Sequence, residues 1–122
     1  RTNEISQRYE GFQANICLNY GGRAEIMQAA KRYAQAAAAG ETGELTEELF
    51  SSYMYSAGIP DPDLLIRPGG EKRISNFLLW QCAYSEFYFS DVLWPDFGTE
   101  ELERAIAEFK SRDRRYGGVK NP

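Results

Sequence analysis

The chain has 122 residues, of which 43% are hydrophobic and 26% charged, and its net charge is −4. That is enough for one domain with one core, and the balance is ordinary for a globular protein. The acidic total argues against nucleic-acid partners, and the absence of histidine removes most zinc sites and every Ser-His or Cys-His catalytic arrangement.

Residues 1–13 are polar and irregular, the end of a helix or a linker. The start at Arg1, without methionine, suggests part of a longer protein. Ala14–Tyr20 (ANICLNY) is short, apolar and closed by Gly21-Gly22, which predicts a buried strand. Ile26, Ala30, Tyr33 and Ala37 then recur at helical spacing, with Gly40 placed to end the helix. Thr46 can cap a second helix whose first turn holds Glu47 and Glu48 and whose apolar side is Leu49, Phe50 and Tyr53.

A proline-marked turn at 59–63 leads into a second strand, Leu64–Arg67. The run 75–84 reads as a helix buried on most sides, and 86–92 (EFYFSDV) as a third strand. Thr99 is placed to cap a last helix with Leu102, Ile106 and Phe109 as its buried stripe. Cys17 and Cys82 both sit in apolar runs and read as reduced core thiols. No apolar run approaches the ~20 residues of a membrane span, and no signal peptide is visible, so the expected location is cytoplasmic, at most peripheral to a membrane.

The order β-α-α-β-α-β-α predicts an α/β fold, a parallel sheet with helices on both faces. Three strands make a thin sheet, so the expectation is the second half of a larger doubly wound one, with ligands at the strands' carboxyl ends.

One such end carries the densest chemistry. After Leu64-Leu65-Ile66 come Arg67, Pro68, Gly69, Gly70, Glu71, Lys72 and Arg73, followed by Ser75. Two arginines joined by a glycine loop can fold onto one phosphate, and a serine hydroxyl beside them can bind the same anion. A solvated loop would look similar. Glu86 near a polyphosphate would hold magnesium, which prefers oxygen ligands; it could equally be a strand-start glutamate facing water. The Gly21–Ile26 junction lacks G-x-G-x-x-G, so a nicotinamide or flavin site is disfavoured. Trp80, Tyr84, Phe87, Tyr88, Phe89, Trp94 and Phe97 could line an apolar tunnel or simply fill a core. The C-terminus is locally basic, with five cations against Asp113 between Lys110 and Lys120.

The runs 19–26 (NYGGRAEI), 63–97 (DLLIRPGGEKRISNFLLWQCAYSEFYFSDVLWPDF) and 114–118 (RRYGG) resemble the C-terminal half of the cis-prenyltransferases, the undecaprenyl diphosphate synthase family. The likeness extends from about Asn15 to Gly118, and the long middle run is not a generic pattern. It implies that 14–118 are the C-terminal portion of a single cis-prenyltransferase domain, with 119–122 as a tail. It implies a transferase that condenses isopentenyl diphosphate with an allylic diphosphate into a cis-polyprenyl diphosphate, a membrane-associated lipid. Arg67, Arg73 and Ser75 would hold the diphosphate of isopentenyl diphosphate, Glu86 would help position Mg2+, and Arg115 and Gly117 would reach into the site of a partner subunit in a homodimer. Pro68 stands where the family often has Thr or Ser. The run 75–84 and the strand after it would form the dimer surface. The family's N-terminal Asp-Gly-Asn segment, which grips the allylic diphosphate, has no match here, so no catalytic residue is expected in this chain. A noncatalytic partner subunit of a heteromeric prenyltransferase and a generic phosphate-binding α/β module stay open as alternatives.

Overall fold

The runs Leu64–Arg67 and Glu86–Phe89 pair as parallel strands, β1 and β2, in register Leu64↔Glu86 through Arg67↔Phe89. The structure, a computed structural model, describes residues 11–112. Its other elements are α1 (Gly22–Ala38), α2 (Glu47–Ser51), a 3-10 turn at Trp94–Asp96, and α3 (Thr99–Ser111). The ladder is extended at both ends by Glu86 N–H to the Asp63 carbonyl (2.9 Å) and Ser90 N–H to the Arg67 carbonyl (3.0 Å). Parallel strands need a crossover, and residues 68–85 supply it. The register puts Arg67 at the carboxyl end of the pair and Glu86 at the amino end.

Three expected elements differ in form, and a fourth in its buried face. Residues 14–20 join no ladder, so the described sheet has two strands rather than three. An apolar run becomes a strand only beside an edge that accepts its N–H and C=O groups. Here Ile16 and Leu18 are 82% and 83% exposed, and Cys17 lies at the surface rather than in a core. Cys82 is buried as expected, and burial raises its thiol pKa.

The run 75–84 is a chain of turns, not a regular helix. Ser75, Asn76 and Leu78 have φ of 49°, 65° and 45°, outside the right-handed region a helical ladder needs. One i to i−4 bond survives, Cys82 N–H to the Leu78 carbonyl at 2.8 Å. The third difference is the last helix. Thr99 is its first residue and Gly98 the residue before it, with no side-chain cap. Leu102 and Ile106 are 40% and 38% exposed, and Glu101 and Ala105 are buried instead. The buried stripe of α1 is likewise shifted, to Gly22, Glu25 and Ala29. The cap on α2 is as expected: Thr46 Oγ1 accepts from Leu49 N–H at 3.1 Å.

Polar bonds stitch the crossover to α1. Glu25, 1% exposed, accepts from Tyr20 Oη–H, Tyr55 N–H (2.9 Å) and Gln81 Nε2–H (3.1 Å). Such a buried side chain is tolerated because both of its oxygens meet a donor. Burial and the bond to Glu25 push the Tyr20 hydroxyl well above the usual tyrosine range.

On the other side, Glu101 accepts from Ser90 Oγ–H (2.7 Å), Tyr88 Oη–H (2.9 Å) and Arg104 (3.3 Å). That ties α3 to the end of β2.

Candidate anion-binding site

Arg67 ends β1, and its side chain folds over the loop that follows. Nη1 donates to the Arg73 carbonyl and to Ser75 Oγ, the latter at 3.0 Å. Arg67 and Ser75, eight residues apart in sequence, are therefore neighbours in space. Nε and Nη2 of Arg67 have no protein partner among the described residues, so a fork of donors stays available to an anion.

Arg73 is close in backbone, but its guanidinium pairs with Glu71 Oε2 at 2.5 Å, and its side chain is 63% exposed. Lys72 is exposed beside it.

The glycines serve the loop differently from a phosphate nest. Gly69 and Gly70 have φ of 95° and 77°, a backbone that other residues rarely adopt. Their N–H groups donate to the carbonyls of Val92 and Ser90, both at 2.8 Å. Those donors are spent on the segment after β2, so they anchor the loop and leave anion contact to side chains.

Asn76 is a residue that sequence reasoning missed. Its carbonyl accepts Gly22 N–H at 2.7 Å, and its Oδ1 accepts Arg23 N–H at 2.9 Å. The first free donors of α1 are thus closed by a residue far along the chain. A Cβ on Gly22 would stand 3.0 Å from the Asn76 carbonyl oxygen and 2.9 Å from Leu79 Cγ, so this approach requires glycine. With these N–H groups occupied, two of the first donors of α1 are spent within the protein. The only sequence signal was Asn in a turn after Ser, a residue that tolerates positive φ.

Glu86 lies apart from this cluster. The register places it three residues from the level of Arg67 along the parallel pair, roughly 10 Å at strand rise. Arg112 holds it: Nη1 meets Glu86 Oε2 at 2.8 Å and the Phe87 carbonyl at 2.9 Å, and Nη2 meets Glu108. The Glu86 and Glu108 bonds raise the Arg112 pKa. No group of three Cys, Asp or Glu side chains with metal-binding spacing occurs among the described residues. Glu86 therefore does not fit a magnesium shared with the Arg67 cluster of its own chain. Arg115 and Gly117 lie outside the described residues.

The aromatics named from sequence stay away from one cavity of the described residues. A cavity of about 460 Å³ lies between residues 15–20, 55–62 and 77–81, and none of those aromatics borders it. Trp80 instead packs at a tilt against Phe50, with centroids 4.9 Å apart, and donates to Ser51 Oγ at 3.0 Å.

Comparison with known proteins decides the family. The family model for undecaprenyl diphosphate synthase matches residues 1–117. The chain belongs to that prenyltransferase family. It is 54% identical over 115 residues to an isoprenyl transferase of Clostridium acetobutylicum, covering 90% of this chain and 45% of that protein. It is 48% identical over 118 residues to a tritrans,polycis-undecaprenyl-diphosphate synthase (geranylgeranyl-diphosphate specific) of Thermoplasma volcanium, covering 95% and 46%. In structure it is similar to lavandulyl diphosphate synthase from Lavandula x intermedia, solved with dimethylallyl diphosphate: TM-score 0.88, 38% identity, 93% of this chain and 50% of that one.

The chain spans about half the length of the curated relatives it matches. The α/β class expected from sequence holds, as part of a cis-prenyltransferase fold. Among the described residues no helix is long and apolar enough to cross a membrane.

Proposed function

We propose that this chain supplies the isopentenyl diphosphate site of a cis-prenyltransferase, with residues 14–118 as the C-terminal portion of one domain. The observation that carries the reading is the Arg67–Ser75 contact at the carboxyl end of β1, which leaves two Arg67 nitrogens without a partner among the described residues. The diphosphate of isopentenyl diphosphate sits against that fork and the Ser75 hydroxyl, joined by Arg73. So held, its alkene faces the allylic carbon of the second substrate. A new C–C bond forms there as the allylic C–O bond breaks and diphosphate leaves, and loss of a proton restores an alkene in cis geometry. These side chains contribute positioning and charge stabilisation and carry no proton themselves.

The C-terminal Arg115 and Gly117 would serve a second copy of the chain in a homodimer. What supports this is the anchoring of Arg112, three residues before Arg115 in sequence, at Glu86, the end of the strand pair away from Arg67. Magnesium and Glu86 belong to the same two-chain arrangement in this reading, and no step is routed through the metal. Tyr84, 68% exposed, offers apolar surface to such a partner. Nucleic acid has no place in the reading, and the cytoplasm, at the membrane surface that receives a lipid product, is the location it implies.

The test is product formation. Labelled isopentenyl diphosphate with an allylic diphosphate and magnesium should give longer polyprenyl diphosphates with the complete protein. Residues 1–122 alone should give none, because no Asp-Gly-Asn segment is among them. No product from the complete protein, or turnover by the 122-residue chain, would contradict the proposal.

A further inference from the structure

We infer that Asn76 is a positioning residue for the diphosphate cradle: by closing the N-terminus of α1 from outside the helix, it fixes Ser75, and with it Arg67, against the 20–23 junction. The inference rests on the proposed isopentenyl diphosphate site and adds a residue that touches neither substrate nor reacting atoms.

The loop after β1 is pinned at two places. At its start, Gly69 and Gly70 N–H groups hold it to Val92 and Ser90. At its end, Asn76 holds it to α1 with both of its oxygens, at 2.7 and 2.9 Å. Between these anchors Glu71, Lys72 and Arg73 are exposed. Ser75 is the immediate neighbour of Asn76, and both have left-handed backbones. Nothing within the turn dictates that conformation, because it breaks the local helical ladder. The α1 contact over-determines it: Gly22 N–H and Arg23 N–H are two donors in need of acceptors, and Asn76 satisfies both at once. Arg67 Nη1 in turn bonds to Ser75 Oγ, so the guanidinium inherits the position set by Asn76. An apolar or longer side chain at 76 leaves Arg23 N–H open and lets Ser75 and Arg67 move together.

Asn76→Gly is the informative variant. Glycine accepts the φ of 65° and keeps the carbonyl bond to Gly22, so only the Oδ1 bond to Arg23 is lost. In the complete protein we expect KM for isopentenyl diphosphate to rise about tenfold, the scale of one cap interaction, with KM for the allylic diphosphate unchanged. Thr46→Ala removes a comparable cap from α2, away from the cradle, and should lower thermal stability while moving neither KM. Asn76→Gln keeps the amide but displaces its oxygen by one bond, and should resemble Asn76→Gly; it decides the matter if the glycine variant does not fold. Arg67→Ala separates the two claims. If Arg67→Ala raises the isopentenyl diphosphate KM and both Asn76 variants behave as wild type, Asn76 has no positioning role. If Arg67→Ala itself leaves that KM unchanged, the cradle reading falls and this inference falls with it.

Discussion

The Arg73 guanidinium lies 2.5 Å from the Glu71 carboxylate, with the two side chains 63% and 48% exposed. An exposed pair of this kind is worth about 0–1 kcal/mol. A charge-assisted contact to phosphate is worth about 1.5–3 kcal/mol, so a diphosphate bound as proposed should win Arg73 away from Glu71. The carboxylate is then a competitor at the mouth of the cradle. Glu71→Gln should tighten isopentenyl diphosphate binding by roughly two- to fivefold, up to about 1 kcal/mol, read by calorimetric titration of the complete protein. Unchanged or weaker binding would mean that Arg73 is not recruited from Glu71.

Glu101 gives a pH signature. Bonds from Ser90 and Tyr88, then the nearby Arg104, hold its carboxyl below the usual carboxylate range against the opposing effect of burial. A depressed folded-state pKa means stability that is present above the unfolded value, near 4.3, and lost as pH falls through the folded value. Urea midpoints of the wild type should therefore drop more steeply below about pH 5 than those of Glu101→Gln, and the two should converge in acid. Parallel curves would show that Glu101 is not coupled to folding. At the alkaline end Tyr88 works in the opposite sense. Its pKa is raised chiefly by the bond to Glu101, so its contribution is intact below about pH 10 and disappears as pH rises through the folded value.

Arg115 should act across two chains. Arg115→Ala and Arg73→Ala subunits of the complete protein, each nearly inactive alone, are mixed and allowed to exchange. A heterodimer puts both lesions in one site and leaves the other intact, so up to about half the native activity per heterodimer should return. No recovery despite verified exchange would place the tail on its own subunit.

Much of this was legible in the sequence. Leu64–Arg67 and Glu86–Phe89 are short runs rich in apolar and aromatic residues bounded by turn residues, and both are strands. Thr46 caps α2 because a hydroxyl before two glutamates is a local signal. Arg67 and Ser75 meet because a strand end followed by two glycines reverses the chain onto itself.

What was not legible depends on distant partners. Residues 14–20 carry a strand pattern, but a strand is a property of two segments, and no described edge accepts this one. The run 75–84 has helical composition, yet Asn76 is drawn to Gly22 and Arg23, and that long-range bond outweighs local propensity. Glu86 is assigned to magnesium through the family resemblance, not through a local pattern. The parallel register instead carries it to the other end of the strand pair, where Arg112 takes it.

Arg67, Arg73 and Ser75 are proposed to hold the diphosphate of isopentenyl diphosphate, and one titration tests this most directly. Arg73 and Lys72 are adjacent exposed cations, so comparing them removes the effect of net charge. Isopentenyl diphosphate is titrated into the complete protein and into its Arg73→Ala and Lys72→Ala variants at one ionic strength. A roughly ten- to hundredfold rise in Kd is expected for Arg73→Ala, matching ~1.5–3 kcal/mol, and a much smaller change for Lys72→Ala. Equal losses, or a larger one for Lys72→Ala, would contradict it.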